Sequence, residues 1–164
     1  MVRAKKRVGL TTRRAMLADV SAMMPLLNDY ARQAEILPRM EDDVYRSIRE
    51  WFVVETHDQI VGMGALLILW RDLAEVRSLV VHPKWHGQGI GRRIVTALVS
   101  EAQTMQIPSV FALTRQPGFF YRLGFQLTDL EKLPQKVKKD CVICPKFHAC
   151  DEIAVILATN GDQE

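Results

Sequence analysis

The sequence predicts an α+β (α/β/α) fold, in which a mixed central sheet of about six to seven strands is covered on its two faces by about four helices. Three patterns in the 164 residues indicate this class. The first third has helical periodicity, the middle has three β-rich runs separated by short turns, and a strand, glycine-rich turn, helix and strand follow. An antiparallel meander next to a strand–helix–strand unit requires a mixed sheet.

The N-terminal part is predicted to hold one strand and two helices. Val8–Thr12 is short and β-prone. Apolar residues at i, i+3, i+4 and i+7 from Val20 onward indicate a helix, and Asp19 near its start favours the free N–H groups. Pro25 lies inside this pattern, so we expect a kink or a displaced boundary. A weaker second helix is predicted over Glu41–Glu50.

The rest of the chain is predicted to be mostly strands around one long helix. Three successive β-rich runs form a meander, and a proline ends the last of them. After the glycine-rich turn come a helix with an apolar stripe, a buried strand, a brief helix and two final strands. In order, the predicted elements are Trp51–Thr56, Gln59–Trp70, Leu73–His82, Ile90–Met105, Val110–Leu113, Pro117–Gly124, Phe125–Leu127 and Ile153–Leu157.

Composition narrows the class of protein. Hydrophobic residues make up 48% and charged residues 25%, the balance of a globular protein. We expect one domain over residues 1–164, with the basic residues 1–6 as a disordered tail. No apolar run approaches the ~20 residues of a membrane span, and a net charge of +3 spread along the chain does not favour nucleic acid. We therefore expect a cytoplasmic protein with neither membrane nor nucleic acid as a partner.

The three cysteines, Cys141, Cys144 and Cys150, lie in one polar, lysine-rich loop. An odd count argues against a closed disulfide framework and fits a reducing compartment. Together with His148 they offer up to four soft ligands, as structural zinc sites do. Their spacing is cramped, however, and we expect no metal.

The glycine-rich turn is the first candidate site. Residues 86–92 read His-Gly-Gln-Gly-Ile-Gly-Arg between a predicted strand and a predicted helix. Alternate glycines let a ligand approach the backbone, and the free N–H groups of a helix start suit a pyrophosphate. Arg92 and Arg93 can add charge-assisted contacts. The spacing is neither Gly-x-Gly-x-x-Gly nor a P-loop, which disfavours a dehydrogenase or an NTPase. A plain strand-to-helix turn is the alternative.

These residues resemble the GNAT acetyltransferases. The family signature is Arg/Gln-x-x-Gly-x-Gly/Ala after a strand that ends Leu-x-Val-x-Pro. Here Leu79-Val80-Val81-His82-Pro83 precedes His86-Gly87-Gln88-Gly89-Ile90-Gly91. Phe120-Tyr121-Arg122-Leu123-Gly124-Phe125 looks like the second family marker, an aromatic helix that ends in Leu-Gly-Phe. The resemblance covers about Val8 to Leu157 and implies the GNAT acyltransferase fold and acetyl-CoA as co-substrate.

The resemblance also implies which residues bind the cofactor. In the family the turn contacts phosphate mainly through backbone N–H groups, and the preceding strand pairs with the pantetheine arm as an added strand would. His86 departs from the family pattern, because Arg or Gln is usual there. The predicted cofactor-binding residues are Leu79, Val80, Val81, His86, Gly87, Gln88, Gly89, Ile90, Gly91 and Arg92.

Acetyl transfer to an amine needs a base, an oxyanion donor and, in some enzymes, an acid. Glu75 is the candidate base, because it stands where many GNAT enzymes carry a glutamate and has even spacing to Leu79 and Val81. A salt bridge to a neighbouring arginine is the alternative role. The backbone N–H of Val81 is the candidate oxyanion donor. Tyr121 is a weak candidate acid, since Phe120 occupies the position where the family often has tyrosine.

A narrower resemblance indicates the acceptor. Segment 70–79, Trp-Arg-Asp-Leu-Ala-Glu-Val-Arg-Ser-Leu, and the block after residue 131 look like the short, stand-alone N-acetylglutamate synthases of bacterial arginine biosynthesis. The implied acceptor is L-glutamate, whose carboxylates need cations. Arg77, Arg115 and Lys136 are the candidates, with surface charge as the alternative for each.

Two other functions stay open at this point. The chain can be a GNAT enzyme that acts on another small amine or a protein N-terminus. It can also be a non-catalytic acetyl-CoA-binding regulatory module, which the phenylalanine at position 120 favours. A homodimer is implied by the resemblance alone.

Overall fold

The computed structural model describes residues 9–57, 59–133 and 151–160. Seven strands form one mixed sheet in the order β1-β2-β3-β4-β5-β7-β6. The strands are β1 (Thr11–Arg14), β2 (Trp51–Thr56), β3 (Gln59–Trp70), β4 (Leu73–Val81), β5 (Ser109–Thr114), β6 (Gln126–Leu127) and β7 (Ile153–Ala158). The α-helices are α1 (Val20–Arg32), α2 (Glu41–Arg46), α3 (Ile90–Thr104) and α4 (Pro117–Tyr121). The predicted fold class is thereby confirmed.

The sheet is mixed because its neighbouring strands pair in both directions. Strand β4 runs parallel to β5, whereas β1 with β2, β5 with β7, and β6 with β7 are antiparallel. Within the described residues, four short 3-10 helices lie between the larger elements, at Leu17–Asp19, Ile48–Glu50, Pro83–Trp85 and Leu130–Lys132. None of the helices in the described part of the chain has the length and apolar character needed to cross a bilayer.

The chain divides into two compact units. The cofactor-loop unit consists of Met1–Gly64 and Ser78–Ala97, and it contains the glycine-rich turn. The Glu75 unit consists of Ala65–Arg77 and Leu98–Glu164. The prediction of one domain over 1–164 stays a prediction, and the tail predicted at residues 1–6 lies outside the described residues.

In the cofactor-loop unit, α1 packs through the apolar face that its periodicity predicts. Val20 and Met23 are fully buried, and Leu27 is nearly so. The helix continues through Pro25, so a boundary displaced to this residue is ruled out, whereas the alternative, a kink, stays a prediction. Proline removes one N–H donor and can clash with the preceding turn, but burial of the apolar face on both sides of it keeps the helix intact.

The start of α3 packs against β3 at a glycine. A Cβ atom at Gly62 would lie 2.6 Å from the Ile90 side chain and 3.0 Å from that of Ile94. Both isoleucines are buried. Glycine at this position therefore lets the first turn of α3 approach the strand closely.

In the Glu75 unit, a buried cluster joins the ends of several strands. Leu69, Leu73, Phe111 and Ala154 pack with Leu133, which follows the last 3-10 turn. Pairing of β5 with β7 runs over six residue pairs, from Ser109–Ala158 to Thr114–Ile153. This pairing gives β5 a fixed register in the interior of the sheet.

Several predicted boundaries differ from the observed ones. Strand β1 begins at Thr11, after two described residues that are not in a strand, whereas the predicted run begins at Val8, which lies outside the described residues. Helix α2 is followed by a separate 3-10 helix instead of continuing to Glu50. Helix α3 ends at Thr104 because Gln106 takes a left-handed conformation (φ 59°), which closes a helix end. Met105, predicted as part of the apolar stripe of this helix, is consequently exposed.

Candidate functional site

The glycine-rich turn begins where β4 leaves the sheet. The N–H of His82, directly after β4, donates to the carbonyl of Val61 on β3 at 2.8 Å. Pro83 then starts a 3-10 turn, and the Nδ1 atom of His82 caps it by accepting from the N–H of Lys84 at 3.1 Å. Proline at this point suits the turn, because its fixed φ is compatible with a helical start and no N–H is lost from a ladder.

Two glycines turn the chain into α3. Gly87 and Gly89 have φ values of 73° and 79°, which L-residues rarely adopt. A Cβ atom at either position would meet nothing within 4 Å. Glycine is therefore required at both positions for backbone conformation rather than for lack of room, and the space beside the turn is open.

The N-terminal amides of α3 are available by the geometry of the helix. Its first backbone bond runs from the N–H of Arg93 to the carbonyl of Gly89 at 3.1 Å. The amides before Arg93 have no acceptor within a helix and carry partial positive charge. Arg92 and Arg93 are exposed, and Gln88 is exposed with its side-chain amide 3.4 Å from the carbonyl of Lys84. The turn has the features of an anion-binding site.

Val81, the last residue of β4, is the hydrogen-bonding centre of this region. Because the N–H of His82 faces β3, the polar groups of Val81 face the opposite edge of the strand. Its carbonyl accepts from the hydroxyl of Tyr30 at 2.5 Å and lies 2.9 Å from Nε2 of His86. The Tyr30 hydroxyl is 3.0 Å from the same imidazole nitrogen and 3.4 Å from the N–H of Val81.

The phenol of Tyr30 is neutral in this environment. Partial burial raises the pKa of Tyr30 above its usual value of 10.0, the N–H of Val81 beside the phenol oxygen lowers it, and the negative charge of Glu35 raises it again. The net change is upward. Tyr30 therefore keeps its proton at neutral pH and can donate to the Val81 carbonyl.

The predicted base, Glu75, is buried on β4. Only 3% of the residue is exposed, and it pairs in parallel register with Phe111 of β5. Ser78 interrupts the same strand with a left-handed φ of 52°. Side chains alternate only while the backbone is extended, so even spacing across Ser78 no longer implies that Glu75 shares a face with Val81. The catalytic role of Glu75 stays a prediction.

Ser78 is held by a side chain from another element. The Nε atom of Arg39 donates to the Ser78 hydroxyl at 3.1 Å, and the serine is buried. A left-handed serine inside a strand costs about 1–3 kcal/mol, so the surrounding contacts must stabilise it.

In the aromatic helix α4, Phe120 is buried whereas Tyr121 is exposed. Phe120 is 5% exposed and packs edge-on against Phe119 and Phe125, with ring centroids 5.0 Å and 5.1 Å apart. Tyr121, the candidate acid, is 43% exposed. The buried position of α4 thus carries no hydroxyl, and the acid role of Tyr121 stays a prediction.

Two of the three candidate cations, Arg77 and Arg115, lie within the described residues. Arg77 is half-buried, and Arg115 lies just beyond β5 with its Nε atom 3.0 Å from Oδ2 of Asp151. Lys136 and the three cysteines lie outside the described residues. Within the ranges that are described, no group of three His, Cys, Asp or Glu side chains could hold a metal.

Sequence patterns did not reveal Tyr30, Ser78, Gly62 or Arg39. Tyr30 continues the apolar face of α1, which signals packing but not a polar target. Its partner Val81 is 51 positions away, so no local motif joins them. A serine in a strand pattern carries no signal of a left-handed backbone.

The chain is similar to known acetyltransferases in sequence. The profile of the acetyltransferase (GNAT) domain family matches residues 47–127. The chain is 38% identical over 144 residues to the uncharacterized N-acetyltransferase CT2212 of Chlorobaculum tepidum, over 88% of this chain and 93% of the relative. The chain belongs to the GNAT family of N-acetyltransferases.

One further sequence match and one solved structure, both from Mycobacterium tuberculosis, extend this result. The amino-acid acetyltransferase of that organism is 39% identical over 125 residues, which are 74% of this chain and 70% of the relative. The solved structure of Rv2747, in complex with CoA and NLQ, has a TM-score of 0.78 at 30% identity and covers 90% of this chain and 98% of that one. These findings confirm the predicted GNAT fold and an acetyl-CoA-dependent N-acetyltransferase.

Proposed function

We propose that this protein transfers the acetyl group of acetyl-CoA to the α-amine of L-glutamate, the reaction that begins arginine biosynthesis. The observation that carries this choice of acceptor is the likeness to an amino-acid acetyltransferase over about three quarters of the chain. The resemblance of segment 70–79, which includes Glu75 and Arg77, to the short amino-acid acetyltransferases supports the same acceptor class. The cytoplasmic location and a homodimer remain predictions.

In this proposal the start of α3 binds the diphosphate of the cofactor. The open space beside Gly87 and Gly89 and the free amides of the first helical turn support this role. Exposed Arg92 adds a cation at the same turn. The backbone carries most of the binding, so His86 in place of the usual arginine or glutamine is compatible with it.

The reaction is a direct transfer. The neutral amine nitrogen attacks the thioester carbon and forms the new C–N bond, the carbonyl oxygen becomes negative, and the C–S bond then breaks to release the coenzyme A thiolate. Glu75 accepts the proton that the amine loses. A thiolate is a reasonable leaving group, so a reaction without a tyrosine at position 120 is chemically consistent.

The acceptor carboxylates are proposed to bind cations of this chain. Arg115 has the planar guanidinium that suits bidentate contact with a carboxylate. It already interacts with Asp151, whose side chain is 58% exposed. A substrate carboxylate would therefore join or replace Asp151 at Arg115, while Arg77 and Lys136 are the other candidates.

The test is release of free thiol from acetyl-CoA by the purified protein with a panel of acceptors. The panel contains L-glutamate, L-glutamine, L-aspartate, L-arginine and a short peptide with a free N-terminus. We expect L-glutamate to have the highest kcat/KM, by at least about tenfold, because the site must pair two carboxylates at the separation that glutamate gives them. D-glutamate and N-methylated glutamate are matched controls for the geometry of the attacking amine.

The other outcomes support the alternatives. Turnover only with other amines would assign the chain to a different acceptor. Binding of coenzyme A in calorimetry without turnover of any acceptor would indicate a regulatory module, and the glutamate proposal would then be wrong.

A further inference from the structure

The Tyr30 hydroxyl lies at the edge of β4 where the glycine-rich loop begins. Tyr30 follows the buried face of α1, one turn after Leu27, and its own carbonyl accepts from the N–H of Glu35 at 3.0 Å. Packing of α1 and this closing bond fix the backbone of Tyr30. The phenol is thereby held in one place before any ligand arrives.

The hydrogen bonds around Val81 are consistent with one arrangement of protons. The carbonyl oxygen can only accept, so the two groups close to it must donate. Tyr30 donates its O–H at 2.5 Å, and His86 donates from Nε2 at 2.9 Å. If the proton of His86 were on Nδ1, an Nε2 lone pair would face the carbonyl oxygen at this distance. The geometry therefore places a proton on Nε2 of His86.

This arrangement ties the first residue of the loop to two rigid elements. His86 is exposed and immediately precedes Gly87, the first of the two loop glycines with a left-handed backbone. Without side-chain bonds, such a glycine-rich loop samples many conformations, and ordering it on binding costs free energy. The Nε2–H of His86, shared between the Val81 carbonyl at the end of β4 and the hydroxyl oxygen of Tyr30, removes part of that cost beforehand.

We propose that Tyr30 is a positioning residue for the cofactor: with the Val81 carbonyl it holds His86, and through His86 it presets the amides that bind the diphosphate. This inference rests on the proposed binding of coenzyme A at this loop. It does not depend on the identity of the acceptor. Tyr30 itself contacts neither the amine nor the thioester in this role.

The first experiment removes only the hydroxyl, with Tyr30→Phe. We expect the Kd for coenzyme A in calorimetry to rise about three- to tenfold, the equivalent of one net hydrogen bond. The Kd for 3′-phosphoadenosine 5′-diphosphate, which has the diphosphate but no pantetheine arm, should rise by the same factor. In turnover, KM for acetyl-CoA rises while kcat stays within about twofold. Tyr45→Phe is the matched control, because Tyr45 is an exposed tyrosine on α2 of the same unit.

The second experiment tests the connection through His86. His86→Ala and the double variant with Tyr30→Phe complete a cycle, and we expect the two losses in coenzyme A affinity to be clearly less than additive. His86→Gln restores a donor and should recover much of the affinity. Thermal unfolding of each variant shows that it is folded.

The opposite results would overturn the proposal. Additive losses would mean that Tyr30 does not act through His86. Tighter binding of coenzyme A in Tyr30→Phe, with the affinity for 3′-phosphoadenosine 5′-diphosphate unchanged, would mean that the hydroxyl occupies the place of the pantetheine arm. Unchanged affinity for both ligands would leave Tyr30 with a packing role only. A protein that fails on glutamate but shows the expected Tyr30→Phe losses contradicts the proposed acceptor and not this inference.

Discussion

The two units of this protein present their candidate functional groups in different ways. In the cofactor-loop unit the groups belong to the backbone, namely the carbonyl of Val81 and the amides that follow Gly87 and Gly89. In the Glu75 unit they belong to side chains, above all a buried carboxylate and Arg115. A backbone site tolerates the exchange of side chains as long as φ and ψ are preserved. A side-chain site fails when a single residue changes its chemistry.

The largest effect is expected where the Glu75 unit loses the carboxylate that we propose as the base. Glu75→Gln keeps the size of the side chain and removes its ability to take a proton. We expect kcat to fall at least about 100-fold and the pH dependence of the rate to steepen, because only the unprotonated amine then reacts. Thiol release across a pH series, with coenzyme A affinity measured in parallel, checks this.

The control for that variant is Glu131→Gln, an exposed glutamate of the same unit. Its rate should equal that of the unchanged protein. A Glu75→Gln rate within about threefold of normal, with the same pH profile, would show that the buried carboxylate has a structural role. Glu75 would then not be a catalytic group, and the comparison between the two units would no longer concern catalysis.

A smaller effect is expected when the glycine-rich turn of the cofactor-loop unit loses its left-handed backbone conformation. Gly89→Ala adds a methyl group into open space but forces an L-residue to a φ of 79°. The left-handed backbone costs about 1–2 kcal/mol for an L-residue, so we expect affinity for coenzyme A to fall about five- to thirtyfold in calorimetry. The rate at saturating acetyl-CoA should change much less.

Gly118→Ala is the comparison for this variant. Gly118 lies in α4 at an ordinary φ, and an added Cβ would approach only Arg122, at 3.9 Å. Alanine is the better helix former, so this variant should be at least as stable and should bind coenzyme A normally. Equal affinities of the two alanine variants would show that the turn can relax, and the requirement for glycine at position 89 would be withdrawn.

The sequence predicted the cofactor-loop unit better than the Glu75 unit, and the reason is physical. Glycine and proline restrict or extend the local φ and ψ values. Pro83, Gly87 and Gly89 therefore predict a turn from a short stretch of sequence. Period-2 and period-3.6 patterns then predict the strands and helices around it, and the observed order of elements agrees. Only element ends, such as those of β1 and α3, were wrong, because they depend on single residues like Gln106.

Contacts between distant parts of the chain leave no such local signal. The bond between Tyr30 and Val81 joins positions 51 apart, and that between Arg39 and Ser78 joins positions 39 apart. The left-handed Ser78 also removes the regular alternation on which the shared-face argument for Glu75 depended. A glutamate in a strand is readable from the sequence, whereas the direction of its side chain past an irregular residue is not.

The smallest expected effect concerns an ion-pair cluster of the cofactor-loop unit. Arg13 donates to Asp19 at 2.7 Å and to Glu55 at 3.0 Å, and the Asp19 side chain is only 14% exposed. The hydrogen bond from Arg13 is the main cause that lowers the pKa of Asp19 below its usual 3.8, burial opposes it, and a bond from the N–H of Met16 adds to it. A lowered pKa in the folded state means that the charged carboxylate stabilises the fold above the unfolded pKa. That stability is lost as pH falls through the folded pKa.

Asp19→Asn retains an acceptor for Met16 but loses the charge facing Arg13. We expect a loss of about 1 kcal/mol at pH 7, or a Tm lower by about 2–4 °C, since the cluster is partly screened by solvent. The difference in Tm from the unchanged protein should begin to shrink as pH falls below about 4 and should disappear below the folded pKa of Asp19, where the wild-type carboxylate is protonated as well. Coenzyme A affinity at 25 °C should stay the same, because the charge of Asp19 takes no part in the bonds that hold Val81 or in the left-handed turn. A Tm difference that is constant with pH would trace the loss to packing, and a loss of affinity would show that the backbone site depends on this side chain after all.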